Sequence, residues 1–118
     1  NQFADYAESF DFKISNMHPQ DLVLEKNEEQ VLIEAKMVYN HDARNAVRSA
    51  LGQLYDYRYF LYTINDLPEP KLIGLFSESI GEGYITFLEG QDIGSIHYEF
   101  ETEQWVFSPL AKQILSLD

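Results

Sequence analysis

The pattern of apolar and polar positions changes period several times along the chain, and each change marks an element. Residues 2 to 9, "QFADYAES", place Phe3, Tyr6 and Ala7 at helical spacing and predict a short helix. "FDFKIS" alternates Phe10, Phe12 and Ile14 with polar neighbours, the pattern of a half-buried strand or an extended lead-in. "DLVLE" (21 to 25) and "QVLIEAKMVY" (30 to 39) are rich in Val, Ile and Leu and flank the polar stretch "KNEE", which predicts a hairpin. From Ala43 the period becomes helical. Ala43, Val47, Ala50, Leu54, Tyr57 and Leu61 step by threes and fours and lay one apolar stripe along a long helix, with Asn40 or Asp42 available to cap its start. The two prolines of "NDLPEP" end it in a loop. "KLIGLFS" (71 to 77) is a buried strand, followed by a short helix over 79 to 90. "SIHYEFE" alternates as a strand, "QWVF" extends the sheet or returns antiparallel, and "PLAKQILSL" closes as a helix. Strand hairpin, crossover helix and further strands predict an α/β sandwich, a central mixed sheet flanked by helices.

Composition adds limits. The chain has 118 residues, enough for one domain with one core, and the expectation is a single domain over 1–118 excised from a longer multidomain protein, since it opens on Asn1 and a short acidic segment. It has no cysteine, which removes disulfides, thiolate nucleophiles and sulfur-based zinc sites and suits a cytoplasmic protein. No apolar run approaches the length of a membrane span, and no membrane partner is expected. With 20 Asp and Glu against 8 Lys and Arg, the formal net charge is −12. That argues against a free-standing nucleic-acid binder. The bases are unevenly placed, however: Lys36, Arg44, Arg48 and Arg58 fall close together.

The candidate chemistry lies in the hairpin. Alternation puts Glu34 and Lys36 on one face of the second strand, and closure around 26 to 29 brings Asp21 across from that strand's C-terminal half. A Glu and a Lys two apart on a strand are ordinarily a solvated pair worth little. Here they interrupt the most apolar strand of the chain, where unpaired charge is costly. Two converging carboxylates repel unless a cation lies between them, and hard oxygen donors suit Mg²⁺ or Mn²⁺. A lysine beside such a metal is placed to hold a water for attack on a phosphodiester. Gly52, inside the long helix, predicts a close backbone approach. Glu99, Glu101 and Glu103 read as a solvated strand face that would repel DNA, Arg58 is a candidate partner for a nearby carboxylate, and "GEG" at 81 to 83 reads as a turn or helix start. The histidines lack ligand spacing, although His18 and His41 lie close enough in sequence to reach the site.

Asp21 followed by Glu34-Ala35-Lys36, with Gln53 and Tyr57 at i and i+4 on the next helix, resembles the PD-(D/E)XK nuclease superfamily, and the Q-x-x-x-Y element resembles that of its RecB-like branches. Gln20 separates Pro19 from Asp21 where that family's motif joins them. The resemblance implies a restriction-endonuclease-like fold and a metal held by Asp21, Glu34 and the backbone carbonyl of Ala35, with Glu8 of the first helix as an additional acid. Lys36 would orient or activate the water, Gln53 would bond near the metal or to a phosphate, and Tyr57 would line the groove. Arg44 and Arg48 are candidate phosphate contacts, although a helical wheel sets them well away from Gln53, and a solvated face pairing with surplus acids serves them equally. The expected activity is Mg²⁺-dependent cleavage of DNA, endonucleolytic rather than exonucleolytic, leaving 5′-phosphate and 3′-hydroxyl ends. The expected setting is the catalytic module of a restriction or phage-defence protein. The acidity implies that a second domain, a dimer mate or another subunit supplies DNA affinity and target choice. Two alternatives stay open: an inactive copy of the fold acting as a protein-interaction or assembly module, and a nuclease for RNA or branched DNA.

Overall fold

The β2–β3 hairpin (β2, Asp21–Lys26; β3, Glu29–Lys36) organises the sheet. Asn27 and Glu28 both take positive φ, 55° and 68°, the two-residue turn whose twist matches that of the strands it joins. A two-residue turn leaves one register, Lys26 opposite Glu29 and Asp21 opposite Glu34. The computed structural model describes residues 2–9, 13–17 and 21–117, the side chains of 13–17 and 21 excepted; Phe10, Phe12 and His18 lie outside the described residues.

Around this hairpin the described chain runs α1 (Gln2–Glu8), β1 (Lys13–Met17), β2, β3, α2 (Ala43–Leu61), a 3₁₀ turn (Thr63–Asn65), β4 (Lys71–Phe76), α3 (Glu82–Gly90), β5 (Ile93–Glu99), β6 (Gln104–Phe107) and α4 (Pro109–Leu115). The strands lie in sequence order in one six-stranded sheet. β3, β4 and β5 are parallel, and antiparallel partners β2 and β6 flank them. The protein is the expected α/β sandwich. Parallel neighbours need crossovers, supplied here by α2 and α3, which share one core with Leu32, Leu72, Phe76 and Ile93 on one face of the sheet. Helices α1 and α4 cover the other face over Val31, Ile33, Ile73 and Ile96. The central strands are therefore buried on both faces, which is why β4 reads as a continuous apolar run.

Asp42, rather than Asn40, caps α2: its carboxylate accepts from the Asn45 backbone N–H and side-chain amide. Four boundaries or inferences differ from the sequence reading. β3 stops at Lys36, short of Tyr39, because the ladder ends where Ser77 N–H donates to the Lys36 carbonyl and Val38 N–H turns instead to the Ser77 hydroxyl. α3 begins at Glu82, because Gly81, with φ of 84°, is outside helical geometry. β5 ends at Glu99 and residues 100 to 103 form a turn, so Glu101 and Glu103 belong to no strand face. Gly52 is exposed, and a Cβ there would meet nothing within 4 Å; it marks no close approach. The 81 to 83 stretch is a helix start, as expected. Among the described residues no helix is long and apolar enough to cross a membrane.

Candidate functional site

The carboxyl-terminal half of β3 carries the charged pair. Strand alternation sends Val31, Ile33 and Ala35 toward α1 and α4, and Leu32, Glu34 and Lys36 toward α2. Glu34 is only 1% exposed, and Lys36 Nζ lies 3.4 Å from its Oε1 with the lysine side chain 15% exposed. This excludes a solvated surface pair. A buried carboxylate costs several kcal/mol of desolvation, which an ammonium at this distance offsets in part.

The register places Asp21 directly across from Glu34 on β2, and directly paired positions lie on one face of a sheet. On the other side Glu34 pairs with Gly74 of β4. A Cβ on Gly74 would lie 2.8 Å from Phe76 Cε2, so the aromatic ring fills the space that the glycine leaves. A larger residue there, one strand over from the carboxylate, would have to displace the ring.

Helix α2 supplies the next layer. Tyr62, just past its end, donates from its hydroxyl to Gln30 Oε1 (2.7 Å), fixing that end beside the start of β3. Burial pushes the Tyr62 hydroxyl above its usual range. At the other end Ser49 and Lys36 line a common cleft. Gln53 lies one helical turn beyond Ser49 on α2 and is half-buried. Its amide donates to Ser49 Oγ (3.2 Å). Tyr57, one turn on, is half-buried against the core on the α2 side.

The remaining sequence candidates lie elsewhere. Glu8 is exposed at the carboxyl end of α1, in the opposite helical layer, and the α1 residue that reaches the cleft is Gln2. Arg44 donates from Nε to the Tyr84 hydroxyl of α3 (3.3 Å), which raises its already high pKa, and Arg48 is exposed one turn further along the same side. Neither is brought to Glu34. Arg58 sits over the Tyr55 ring, 5.0 Å from its centroid, rather than on a carboxylate. His41 pairs with Glu78 (2.7 Å) in the loops beyond β3 and β4. Ala35, whose candidate ligand is its backbone carbonyl, does lie at the cleft, with its side chain turned to the α1 and α4 core. No group of three or more His, Asp or Glu side chains gathers among the described residues.

A cleft of about 660 Å³ opens over the carboxyl ends of β3 and β4, beside Lys36 and Ser77. In sheets with parallel strands this is the usual place for a ligand. Lys36, Asn45, Ser49 and Ser77 form its polar part, and Tyr98, Phe100 and Trp105 form an aromatic wall. Tyr98 and Trp105 lie in β5 and β6, both expected as strands, but strand alternation alone carries no signal that gathers these rings on one cleft.

Comparison with known proteins places the fold. No family model matches the chain, and no curated protein does. Two solved structures do. An XisH family protein from Nostoc punctiforme PCC 73102 is 20% identical, with a TM-score of 0.59 over 89% of this chain and 96% of that one. An fdxN element excision controlling factor protein from Anabaena variabilis is 17% identical, with a TM-score of 0.59 over 89% and 95%. The chain shares its fold with these proteins over nearly their whole length.

Proposed function

We propose that this chain is a metal-dependent nuclease domain of the PD-(D/E)XK type, hydrolysing phosphodiester bonds in DNA within the cytoplasm. The observation that carries the reading is the buried Glu34–Lys36 pair at the lip of a cleft, with Asp21 in direct register across the hairpin. The donors fit a hard divalent cation: Glu34 is a buried carboxylate, Asp21 stands opposite, and the Ala35 carbonyl lies between the two charged residues in sequence. Asp21, Glu34 and Ala35 would hold Mg²⁺ or Mn²⁺. When bound, the cation stabilises charge developing on phosphate oxygens. Lys36 supplies three N–H donors and a positive charge at the mouth of the cleft, which orient a water and favour its deprotonation. Gln53, bonded to Ser49 of the cleft, has an amide oxygen to hold that water or an N–H for a phosphate oxygen. Water attacks phosphorus, the bond to the 3′ oxygen breaks and that oxygen takes a proton, leaving 5′-phosphate and 3′-hydroxyl ends.

One structural neighbour is described as a controlling factor of element excision, which supports DNA as the substrate and sets excision of an element beside restriction and phage defence as the setting. The acid surplus supports action within an assembly, with a further domain or subunit holding the DNA. So does an exposed apolar run at the end of α2, Tyr59, Phe60, Leu61, Ile64 and Leu67.

Calorimetric titration of Mn²⁺ tests the site. A saturable site in the parent chain should vanish in Asp21→Asn and Glu34→Gln and persist in Lys36→Met, while cleavage of labelled DNA is lost in all three. Absence of a saturable site in the parent, together with absence of cleavage, would put the interaction-module reading in its place.

A further inference from the structure

The cleft beside Lys36 has two unlike walls. One is small and polar, from α2. The other is a ladder of rings: Trp105 meets Tyr98 at 5.0 Å and Tyr98 meets Phe100 at 5.1 Å between centroids, both edge to face. Phe3 backs the inner rung, 5.3 Å from Trp105. The inner rungs are therefore held by packing, whereas the outer rung, Phe100, is 75% exposed. Tyr39, also lining the cleft, is 70% exposed. Single surface aromatics need no explanation, but two nearly bare rings on one cleft form a surface prepared for a flat apolar face.

Charge narrows what that face belongs to. Binding to duplex DNA draws mainly on neutralised phosphates, and this chain has 8 bases against 20 acids. Lys36 is the one cation among the described lining residues, and Glu101 and Glu103 stand exposed in the turn that carries Phe100. Two rows of duplex phosphates would meet this acidic rim, while the base faces stay hidden in their own stack. An unstacked strand offers those faces directly, and stacking on aromatic rings is indifferent to net charge.

Taking the nuclease reading of the Glu34–Lys36 site as its basis, we infer that the cleft binds single-stranded DNA, its bases stacking on Phe100 and Tyr39 while Lys36 meets a single phosphate. Affinity comes from the rings and needs no metal. The acidic surface then acts as a filter against duplex rather than a barrier to all DNA.

The test is titration of the whole chain in EDTA with an oligothymidylate of about eight nucleotides, followed through Trp105, the chain's one tryptophan. Saturable quenching is expected. Phe100→Ala and Tyr39→Ala should each weaken binding about 5- to 100-fold. Both rings are largely exposed, so the thermal midpoint should stay in place. The slope of log K against log salt should be shallow, about −0.7 for one phosphate contact. Absence of quenching, unchanged affinity in both variants, tighter binding of a duplex of equal length, or a slope of about −3 or steeper would each overturn the inference, leaving the wall as a contact for a protein. The two readings fail separately. Duplex cleavage with Mg²⁺ but no oligothymidylate binding removes only the single-strand inference; binding without cleavage of any DNA removes only the nuclease.

Discussion

The two faces of β3 carry different duties only one residue apart. Toward α1 and α4 the strand presents Val31, Ile33 and Ala35, an uninterrupted apolar row in one core. Toward α2 it presents Leu32, then Glu34 and Lys36, so that face is core at the start of the strand and charged at its end. The same backbone thus anchors the sheet with one face and holds a buried ion pair with the other. Burial alone does not separate these roles, since Ile33 and Glu34 are equally inaccessible. What separates them is what lies opposite: hydrocarbon for Ile33, and for Glu34 an ammonium, a glycine and the register position of a second acid.

Substitution at adjacent positions tests that division with the largest effect. Ile33→Ala should cost about 2–5 kcal/mol in denaturant unfolding, because it opens a cavity in a closed core. Glu34→Gln keeps the volume and leaves Lys36 able to turn to solvent, so it should cost about 1 kcal/mol or less. A Glu34→Gln cost equal to that of Ile33→Ala would make the carboxylate a structural element and dissolve the contrast.

The glycines sharpen it next. On the α4 side, a Cβ at Gly94 would lie 2.8 Å from Ala111 Cα and 2.9 Å from its N, backbone atoms that cannot give way without moving the helix. On the site side, Gly74 faces the edge of a side chain, the Phe76 ring. Both substitutions to alanine should destabilise, within the range of about 1–3 kcal/mol for overpacking, with Gly94→Ala at the upper end and Gly74→Ala below it. Thermal or denaturant midpoints would rank them, and the reverse order would show the site side to be the more rigid of the two. On the outer side of α2, Gly52→Ala should raise stability by roughly 0.5–1 kcal/mol, because the position is helical and open. A loss there would reveal a contact that Gly52 keeps clear.

The smallest effect concerns His97 on β5, whose pKa is lowered by burial, with Glu99 opposing. The unfolded chain takes up a proton on this residue near the usual 6.5, and the folded chain does so only at lower pH. Between those values the unfolded state holds more protons, so stability is full above about 6.5 and declines as pH falls toward the folded value. His97→Gln should flatten that stretch of the stability profile. An unchanged slope would assign the acid dependence to the carboxylates instead.

Local chemistry made much of this legible in the sequence. The step of threes and fours from Ala43 to Leu61 matches α2 at both ends, and "KNEE" marks the hairpin turn. Closure around 26 to 29 placed Asp21 across from the carboxyl-terminal half of β3, and the two-residue turn at Asn27 and Glu28 set it opposite Glu34. Boundaries set by long-range contacts were not legible. β3 ends where a serine after β4 competes for its N–H groups, and β5 ends where the chain turns toward β6. Leu61, the last member of the apolar stripe, is 56% exposed, although Tyr62 beside it bonds to Gln30 of β3. Arg44 and Arg48 look like phosphate contacts when bases are counted along the chain; they lie on the α3 side of α2, a matter of how that helix is rotated against the sheet.

The sequence by itself determined the order and type of the elements, the two-faced character of β3 and the approach of Asp21 to the strand's carboxyl-terminal half, since these depend on side-chain period and on the short polar stretch between two apolar strands. The tertiary structure decided that Glu34 is buried rather than solvated, because a helix must dock over the strand for that. It also decided which residues meet at the cleft. Lys36, Ser49, Tyr98 and Trp105 come from three strands and a helix, and no local signal encodes a juxtaposition made by the packing of both helical layers on one sheet.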